Sequence, residues 1–127
     1  TRDWIDEAIS ELGGDLIVIQ PGQIVAELKF AFWVSLISKN YDATLWRQTL
    51  HKGFSATTGV RRQDAHGRFN FIRRFRNRVV HHEPIFHKEL DRIHDEIIEA
   101  VRWMCPQTSD WLLDRSRVPH VLAKYAR

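Results

Sequence analysis

The sequence contains only one cysteine and no long apolar run, and each of these features excludes a class of protein. One cysteine, Cys105, allows neither an intrachain disulfide nor a zinc site made of several cysteines, and it fits the reducing cytoplasm. The longest apolar run, residues 30–34, is far too short to cross a membrane. We therefore expect a cytoplasmic protein that makes no membrane contact.

The chain of 127 residues, with five tryptophans and seven phenylalanines, is long enough for one domain with a packed core. No internal repeat or low-complexity tract divides it, so residues 1–127 are predicted to form a single domain. Apolar residues recur at helical spacing along most of this length, and no two segments are predicted to pair as strands. The expected fold class is all-α, a bundle of five to six helices with short connections.

Hydrophobic periodicity gives approximate bounds for these helices. The predicted helices cover residues 3–12, 23–38, 43–52, 61–82 and 86–104, followed by a short segment at Ser109 and a last turn from Pro119. The helix over 23–38 is apolar on nearly all sides and is predicted to be the central core helix. Asp3, Asp42 and Ser109 are predicted helix caps, and residues 16–19 are predicted to be a linker or buried loop. The predicted core includes four tryptophans of the apolar stripes: Trp33, Trp46, Trp103 and Trp111.

Acidic residues are nearly absent from the middle of the chain. Residues 61–82 hold seven arginines against one acid, Asp64, whereas residues 83–99 hold six acids against Lys88 and Arg92. One helix is therefore predicted to carry the positive field that a phosphate-binding surface requires. The alternative is that this basic helix faces the acidic one, within the chain or between subunits.

The densest polar cluster lies at the end of the basic helix, between Arg73 and Pro84. At about 100° per residue, Arg73, Asn77 and His81 stack on one face, and the long Arg76 side chain can reach them. Pro84 disfavours helical geometry at the residue before it, so the helix is expected to end near the histidine. The apolar residues of this turn are predicted to point into the core: Phe75, Val79 and Val80.

These residue types suit cleavage of a phosphodiester without a metal or a cofactor. A histidine titrates near neutral pH and can take the proton of an RNA 2′-hydroxyl, so His81 is the candidate general base or acid. The Arg76 guanidinium can bind the scissile phosphate and offset its developing charge. Asn77 can hold the histidine tautomer or donate to a phosphate oxygen. Because one arginine and one histidine make a sparse site, a second copy across a two-fold axis is expected to complete it.

For several neighbouring residues the sequence allows two roles. His82 fits the spacing nearly as well as His81. Arg73 and Arg78 are either substrate-binding or solvated, and Glu83 either orients a histidine or neutralises nearby positive charge. No metal site is expected, because the histidines of this region lack the spacing of a known ligand set: His81, His82, His87 and His94.

The spacing of Arg76, Asn77 and His81 resembles the arginine–polar–spacer–histidine motif of the HEPN superfamily of helical ribonucleases. The wider run over residues 75–86 resembles the Abi-like (abortive infection) branch of that superfamily. Other stretches resemble it in the same order along the chain: residues 30–36, 45–47, 103–106, 111 and 116–118. The resemblance implies a dimer-forming, metal-independent ribonuclease that acts in phage defence or as a toxin, with an antitoxin or another regulatory partner. Because family members are often longer at the N-terminus, this chain is expected to correspond to the C-terminal part of that architecture or to a short member.

Two other functions fit the same sequence. The first is a non-catalytic helical module that binds RNA or a nucleotide through the basic helix and needs no titrating histidine. The second is a structural dimerisation domain in which the arginines of residues 73–78 pair with the acids of residues 89–99. Salt-dependent RNA binding without cleavage favours the first, and a lack of RNA affinity at low salt favours the second.

Overall fold

The computed structural model describes residues 2–13, 19–56 and 59–125 of the chain. Within these ranges the regular structure is helical and contains no strand, which confirms the predicted all-α class. The same ranges contain seven α-helices, so the predicted number of five to six was too low. The α-helices are α1 (Arg2–Glu11), α2 (Pro21–Glu27), α3 (Phe30–Leu36), α4 (Arg62–Val80), α5 (Leu90–Met104), α6 (Pro106–Arg115) and α7 (Val118–Tyr125). Three short turns connect α3 to α4: Lys39–Tyr41 and Leu50–Phe54, which are 3₁₀-helical, and Asp42–Trp46, which is π-helical. Across the described ranges, no helix has the length and apolar content that a membrane crossing requires.

Helix α5 is the element around which the C-terminal half packs. It contacts α4, α6 and α7, and its buried side chains are Ile93, Ile98 and Ala100. Ser109 of α6 is fully buried against it, and its hydroxyl donates a hydrogen bond of 3.2 Å to the carbonyl of Ile98. The small side chains at this contact occupy little space, so the two helices can pack closely. Ser109 therefore lies inside α6, and its prediction as a helix cap was wrong.

The predicted central helix over residues 23–38 consists of two short helices, so that prediction was wrong. The break between α2 and α3 falls at Leu28 and Lys29, where the backbone is extended with ψ angles of 124° and 152°. None of the described residues of α2 is buried. No proline or glycine marks the break. Lys29 pairs with Glu7 of α1 at 2.8 Å, and Phe32 is buried nearby, so tertiary contacts with α1 favour the bend.

A buried cluster joins the turns after α3 to the first half of α4. It contains Ile37, Trp46 and Ala65, the last of which is fully buried. The ring of Trp46 lies 5.2 Å from that of Phe54, and Phe54 lies 5.9 Å from Phe69 of α4. Aromatic pairs at this separation add to the free energy of apolar burial. The cluster confirms Trp46 as a core residue and holds the N-terminal half of α4 in place.

The segment predicted as one helix over residues 43–52 is irregular. Its first part is the π-helical turn and its second part the 3₁₀ helix. Asp42 is the first residue of the π-helical turn and does not cap it, so that prediction was wrong. Its carboxylate pairs with Arg47 at 2.9 Å and with Arg62 of α4 at 3.5 Å. Likewise, Asp3 lies within the first turn of α1 and not before it. The predicted linker over residues 16–19 lies almost wholly outside the described residues.

The other tryptophans are less buried than predicted. Trp33 is 41% exposed and Trp111 is 61% exposed, so neither belongs to the core. Trp103 is half-buried, donates its indole N–H to Glu99 at 3.1 Å and lies 4.9 Å below the guanidinium of Arg68. An apolar stripe becomes core only where another element covers it, and the outer sides of α3 and α6 are left open.

Two helices of the C-terminal half begin at other residues than predicted, whereas α5 ends at Met104 as predicted. Helix α5 begins at Leu90, so residues 81–89 form a loop whose last part was predicted to be helical. At the other end of α5, Cys105 is extended and Pro106 begins α6, where its missing N–H costs no hydrogen bond. The Thr108 hydroxyl donates to Cys105 Sγ at 3.1 Å, and this hydrogen bond lowers the pKa of the half-buried thiol.

Candidate functional site at the end of α4

Helix α4 ends in a Schellman motif formed by the backbone. The N–H of Glu83 donates to the carbonyl of Arg78 at 2.9 Å, and the N–H of His82 donates to that of Val79 at 3.1 Å. This geometry puts His82 in the left-handed region, with φ of 56°, where glycine is usually found. A non-glycine residue in this conformation costs on the order of 1 kcal/mol. The helix therefore ends at Val80, with His81 as its C-cap, close to the predicted position.

The loop after α4 is fastened to the helix by Arg78. Its Nη2 donates to the carbonyl of Pro84 at 3.2 Å, and its Nη1 pairs with Glu83 at 3.3 Å. Its Nε is buried and has no partner among the described residues. The Arg78 guanidinium thus binds the loop. The carboxylate of Glu83 pairs with this arginine and not with a histidine. Both residues therefore hold the loop that follows His81.

The three residues of the predicted motif lie on the open side of the same helix end. Arg76 is exposed, and its Nη1 lies 3.5 Å from Oδ1 of Asn77. The side chain of His81 is exposed, and its backbone N–H closes the last helical turn on the carbonyl of Asn77 at 2.9 Å. Arg73 lies a turn earlier and donates from Nε to Asn70 at 3.0 Å. The site thus has a cation, an amide and a titratable ring within two turns of helix.

Positive charge at this end of α4 is not neutralised within the chain. In the described ranges, no carboxylate pairs with Arg73, Arg74 or Arg76. Glu96 of α5 and Glu89, which directly precedes α5, have other partners. Glu96 binds Arg92 at 3.2 Å and Arg68 at 4.0 Å, and Glu89 binds Arg92 at 3.1 Å. The basic helix therefore meets the acidic one through Arg68 alone among the described ion pairs, and the three arginines are left available to an external anion.

The apolar side of this helix end is more open than predicted. Val79 is 45% exposed and Val80 is 51% exposed, so their assignment to the core was wrong. Phe75 is half-buried and, with Val79, lines a cavity between α4, α5 and α7. Helix α3 is much shorter than α4 and packs with its C-terminal end near the start of α4, through Arg62 and the carbonyl of Ile37. The last turns of α4 therefore extend beyond it.

His66 is a polar residue of α4 that the sequence interpretation overlooked. It lies on the same side of the helix as Arg62, Asn70 and Arg73, at spacings of three and four residues. Burial lowers the pKa of His66, and the nearby positive charges of Arg62 and Arg73 lower it further. The signal was available in the sequence, because the same spacing continues to Asn77. The polar face of α4 is thus longer than the predicted motif.

Acidification is expected to destabilise the fold through His66. Because its folded pKa is depressed, the unfolded chain binds the proton more readily, and stability falls as the pH drops below the ordinary value of 6.5. We expect a lower urea midpoint at about pH 5.5 than at about pH 7.5, and a smaller difference in His66→Gln. An equal loss of stability in the wild type and the variant would show that other groups cause it.

No family can be assigned by comparison with known proteins. No protein-family model, curated protein or solved structure matches the chain. The resemblance to HEPN ribonucleases therefore depends on the motif residues and their neighbours, and it stays a prediction. In the part of the chain that the structure describes, no three histidine, cysteine, aspartate or glutamate side chains are grouped so that they could hold a metal ion.

Proposed function

We propose that this protein is a metal-independent endoribonuclease whose site is formed by Arg76, Asn77 and His81 at the end of α4. The observation that carries the proposal is the arrangement of this helix end. An arginine without a carboxylate partner in the described ranges lies beside an amide, one turn before an exposed histidine. The exposed Arg76 and His81 side chains suit an anionic substrate.

The proposed reaction is transesterification within the RNA. His81 takes the proton of a 2′-hydroxyl, and the 2′-oxygen attacks the adjacent phosphorus. The bond from phosphorus to the 5′-oxygen breaks, and the leaving oxygen receives a proton from a general acid. The products are a 2′,3′-cyclic phosphate and a free 5′-hydroxyl. The guanidinium of Arg76 offsets the charge that develops on the phosphate oxygens, while Asn77 positions that guanidinium through the contact at 3.5 Å.

A second copy of the chain completes the proposed site. The reaction requires both a base and an acid. Each chain offers His81 for one of these roles, and His82 follows it with a left-handed backbone. Two helix ends related by a two-fold axis would supply two histidines and two copies of Arg76 to one phosphate. The exposed apolar residues of the same helix end, Val79 and Val80, favour contact with another chain. We therefore propose a homodimer with its cleft at the ends of the two α4 helices.

The biological setting that we propose comes from the resemblance alone. A cytoplasmic HEPN protein of the Abi-like branch would act on cellular or phage RNA as a toxin in antiviral defence. Such an activity requires restraint in a growing cell, so an antitoxin or another regulatory partner belongs to the same proposal. Expression of the chain in a host cell, with and without His81→Ala, tests whether the ribonuclease site makes it toxic.

Arg76→Ala is expected to reduce the rate of RNA cleavage by about 10²–10³-fold, because it removes a charged donor from the transition state. The measurement uses a fluorescently labelled RNA of mixed sequence in a buffer that contains EDTA, with the product ends identified by mass spectrometry. Arg74→Ala is the matched control, since Arg74 is exposed two residues before Arg76 and lies about 200° around the helix axis from it, and its rate is expected to change only a few-fold. Equal rates for the wild type and Arg76→Ala would exclude the proposed role.

A non-catalytic RNA-binding module is the second candidate. The same observation favours it in part, because the unneutralised arginines of α4 suit phosphate binding without any chemistry. In that case RNA binding weakens steeply with salt, Arg74→Ala and Arg76→Ala weaken it equally, and no cleavage product forms. The structural dimerisation domain is less favoured, because Glu89 and Glu96 already pair with Arg92 within the chain.

A further inference from the structure

An apolar cavity is lined in part by residues of the helix end that carries the candidate site. Its volume is about 390 Å³, which falls in the range of small-molecule binding sites. Phe75 and Val79 of α4 form one wall, Ile97 of α5 another, and Val121 of α7 the third. The cavity is therefore a cleft between three helices that opens to solvent, and it is distinct from the polar face that carries Arg76 and His81.

Two polar groups break the apolar lining. His94 is held on α5 with its side chain only 11% exposed, and its Nε2 lies 2.8 Å from the hydroxyl of Ser116. The same hydroxyl accepts the backbone N–H of Val118 at 3.3 Å. Arg117 also lines the cavity, and within the described residues its guanidinium forms no ion pair or hydrogen bond. The cavity thus combines an apolar interior with an unneutralised cation.

We propose that this cavity binds a small amphipathic molecule with a single negative charge, such as a medium-chain carboxylate. The apolar body lies between Phe75, Ile97 and Val121, and the carboxylate accepts hydrogen bonds from the Arg117 guanidinium. Charge complementarity selects an anion, because a neutral ligand leaves that guanidinium unused. The lining offers no carboxylate, so a cationic ligand has no partner there.

Binding in this cavity would also act on the proposed ribonuclease site, and this consequence rests on the proposed function. Phe75 and Val79 lie in the last two turns of α4, and Ile85 of the following loop lines the same cavity. A ligand that packs against all three stabilises the helix end and the loop that hold His81. Ligand occupancy is therefore coupled to the geometry of the site, while binding itself requires no RNA and no catalysis.

The test compares octanoate with 1-octanol, which has the same chain length and no charge, by titration calorimetry on the full chain. Octanoate is expected to bind at least about tenfold more tightly than 1-octanol, and Arg117→Gln is expected to remove that preference. Val121→Trp fills the mouth of the cavity at a position that is 42% exposed, so it is expected to weaken both ligands without unfolding the chain. Arg115→Gln is the matched control, because Arg115 is 71% exposed and pairs with Asp114.

Three outcomes would overturn the proposal. The first is the absence of octanoate binding at about 1 mM. The second is an unchanged preference in Arg117→Gln, or unchanged binding in a folded Val121→Trp. The third is binding that disappears as copies of the chain associate, since a side chain of the second copy, such as Phe86, which is 84% exposed, then occupies the cavity. RNA cleavage by the same variants without ligand is measured separately, so the ribonuclease proposal can fail or survive independently.

Discussion

If the proposed ribonuclease function is correct, replacing His81 by alanine is expected to reduce the rate of RNA cleavage by about 10²–10⁴-fold, which is the usual contribution of a general acid or base. The fold should not change, because the His81 side chain is exposed and its role in ending α4 is performed by the backbone N–H, which alanine retains. Alanine also adopts the backbone φ of −86° found at His81 without strain. Single-turnover cleavage of labelled RNA in EDTA, with circular dichroism and sedimentation on the same samples, measures these effects.

The control for this experiment is the adjacent histidine. His82→Gly removes an imidazole one residue away and relieves the backbone at φ of 56°, which glycine adopts freely. The relief offsets the greater freedom of glycine in the unfolded chain, so the variant should be about as stable as the wild type. We expect it to keep most of its cleavage rate. Cleavage lost in His82→Gly and kept in His81→Ala would assign the proposed catalytic role to His82.

The end of α4 could be predicted from the sequence because its causes are local. Pro84 restricts the residue before it, and the spacing of Phe69, Ile72 and Phe75 sets the phase of the helix. The break between α2 and α3, at Leu28 and Lys29, could not be predicted in this way. No local signal marks it, and its cause lies in contacts with α1, a helix that is distant in sequence.

In the candidate site, too, the features with local causes could be predicted and those that depend on distant contacts could not. Helical phasing brought Arg73, Asn77 and His81 to one side of α4, which requires only the rise and twist of a helix. It could not assign Arg78 and Glu83, whose roles depend on the path of the loop after the helix. Periodicity also identified Val79 as apolar, but whether an apolar residue is buried depends on the length of the helices beside it.

The largest effect on stability is expected from Trp46→Ala. Trp46 is 7% exposed and packs with Ile37, Ala65 and Phe54 in the cluster beneath the first half of α4. Its truncation leaves a large cavity and should lower the free energy of unfolding by about 3–5 kcal/mol. Since domains of this kind are stable by roughly 5–15 kcal/mol, the variant should unfold at a much lower urea concentration.

Trp111→Ala is the matched control, because it removes the same ring from a position that is 61% exposed. We expect a loss of about 0.5 kcal/mol, as for other surface substitutions. Equal losses in the two variants would contradict the assignment of the core to the Trp46 cluster. Comparison of Trp46→Ala with His81→Ala also distinguishes a loss of stability from a loss of cleavage, because Trp46 supports the half of α4 that is distant from His81. Below its unfolding transition, a weakened Trp46→Ala protein should therefore still cleave RNA, whereas His81→Ala should stay folded and inactive.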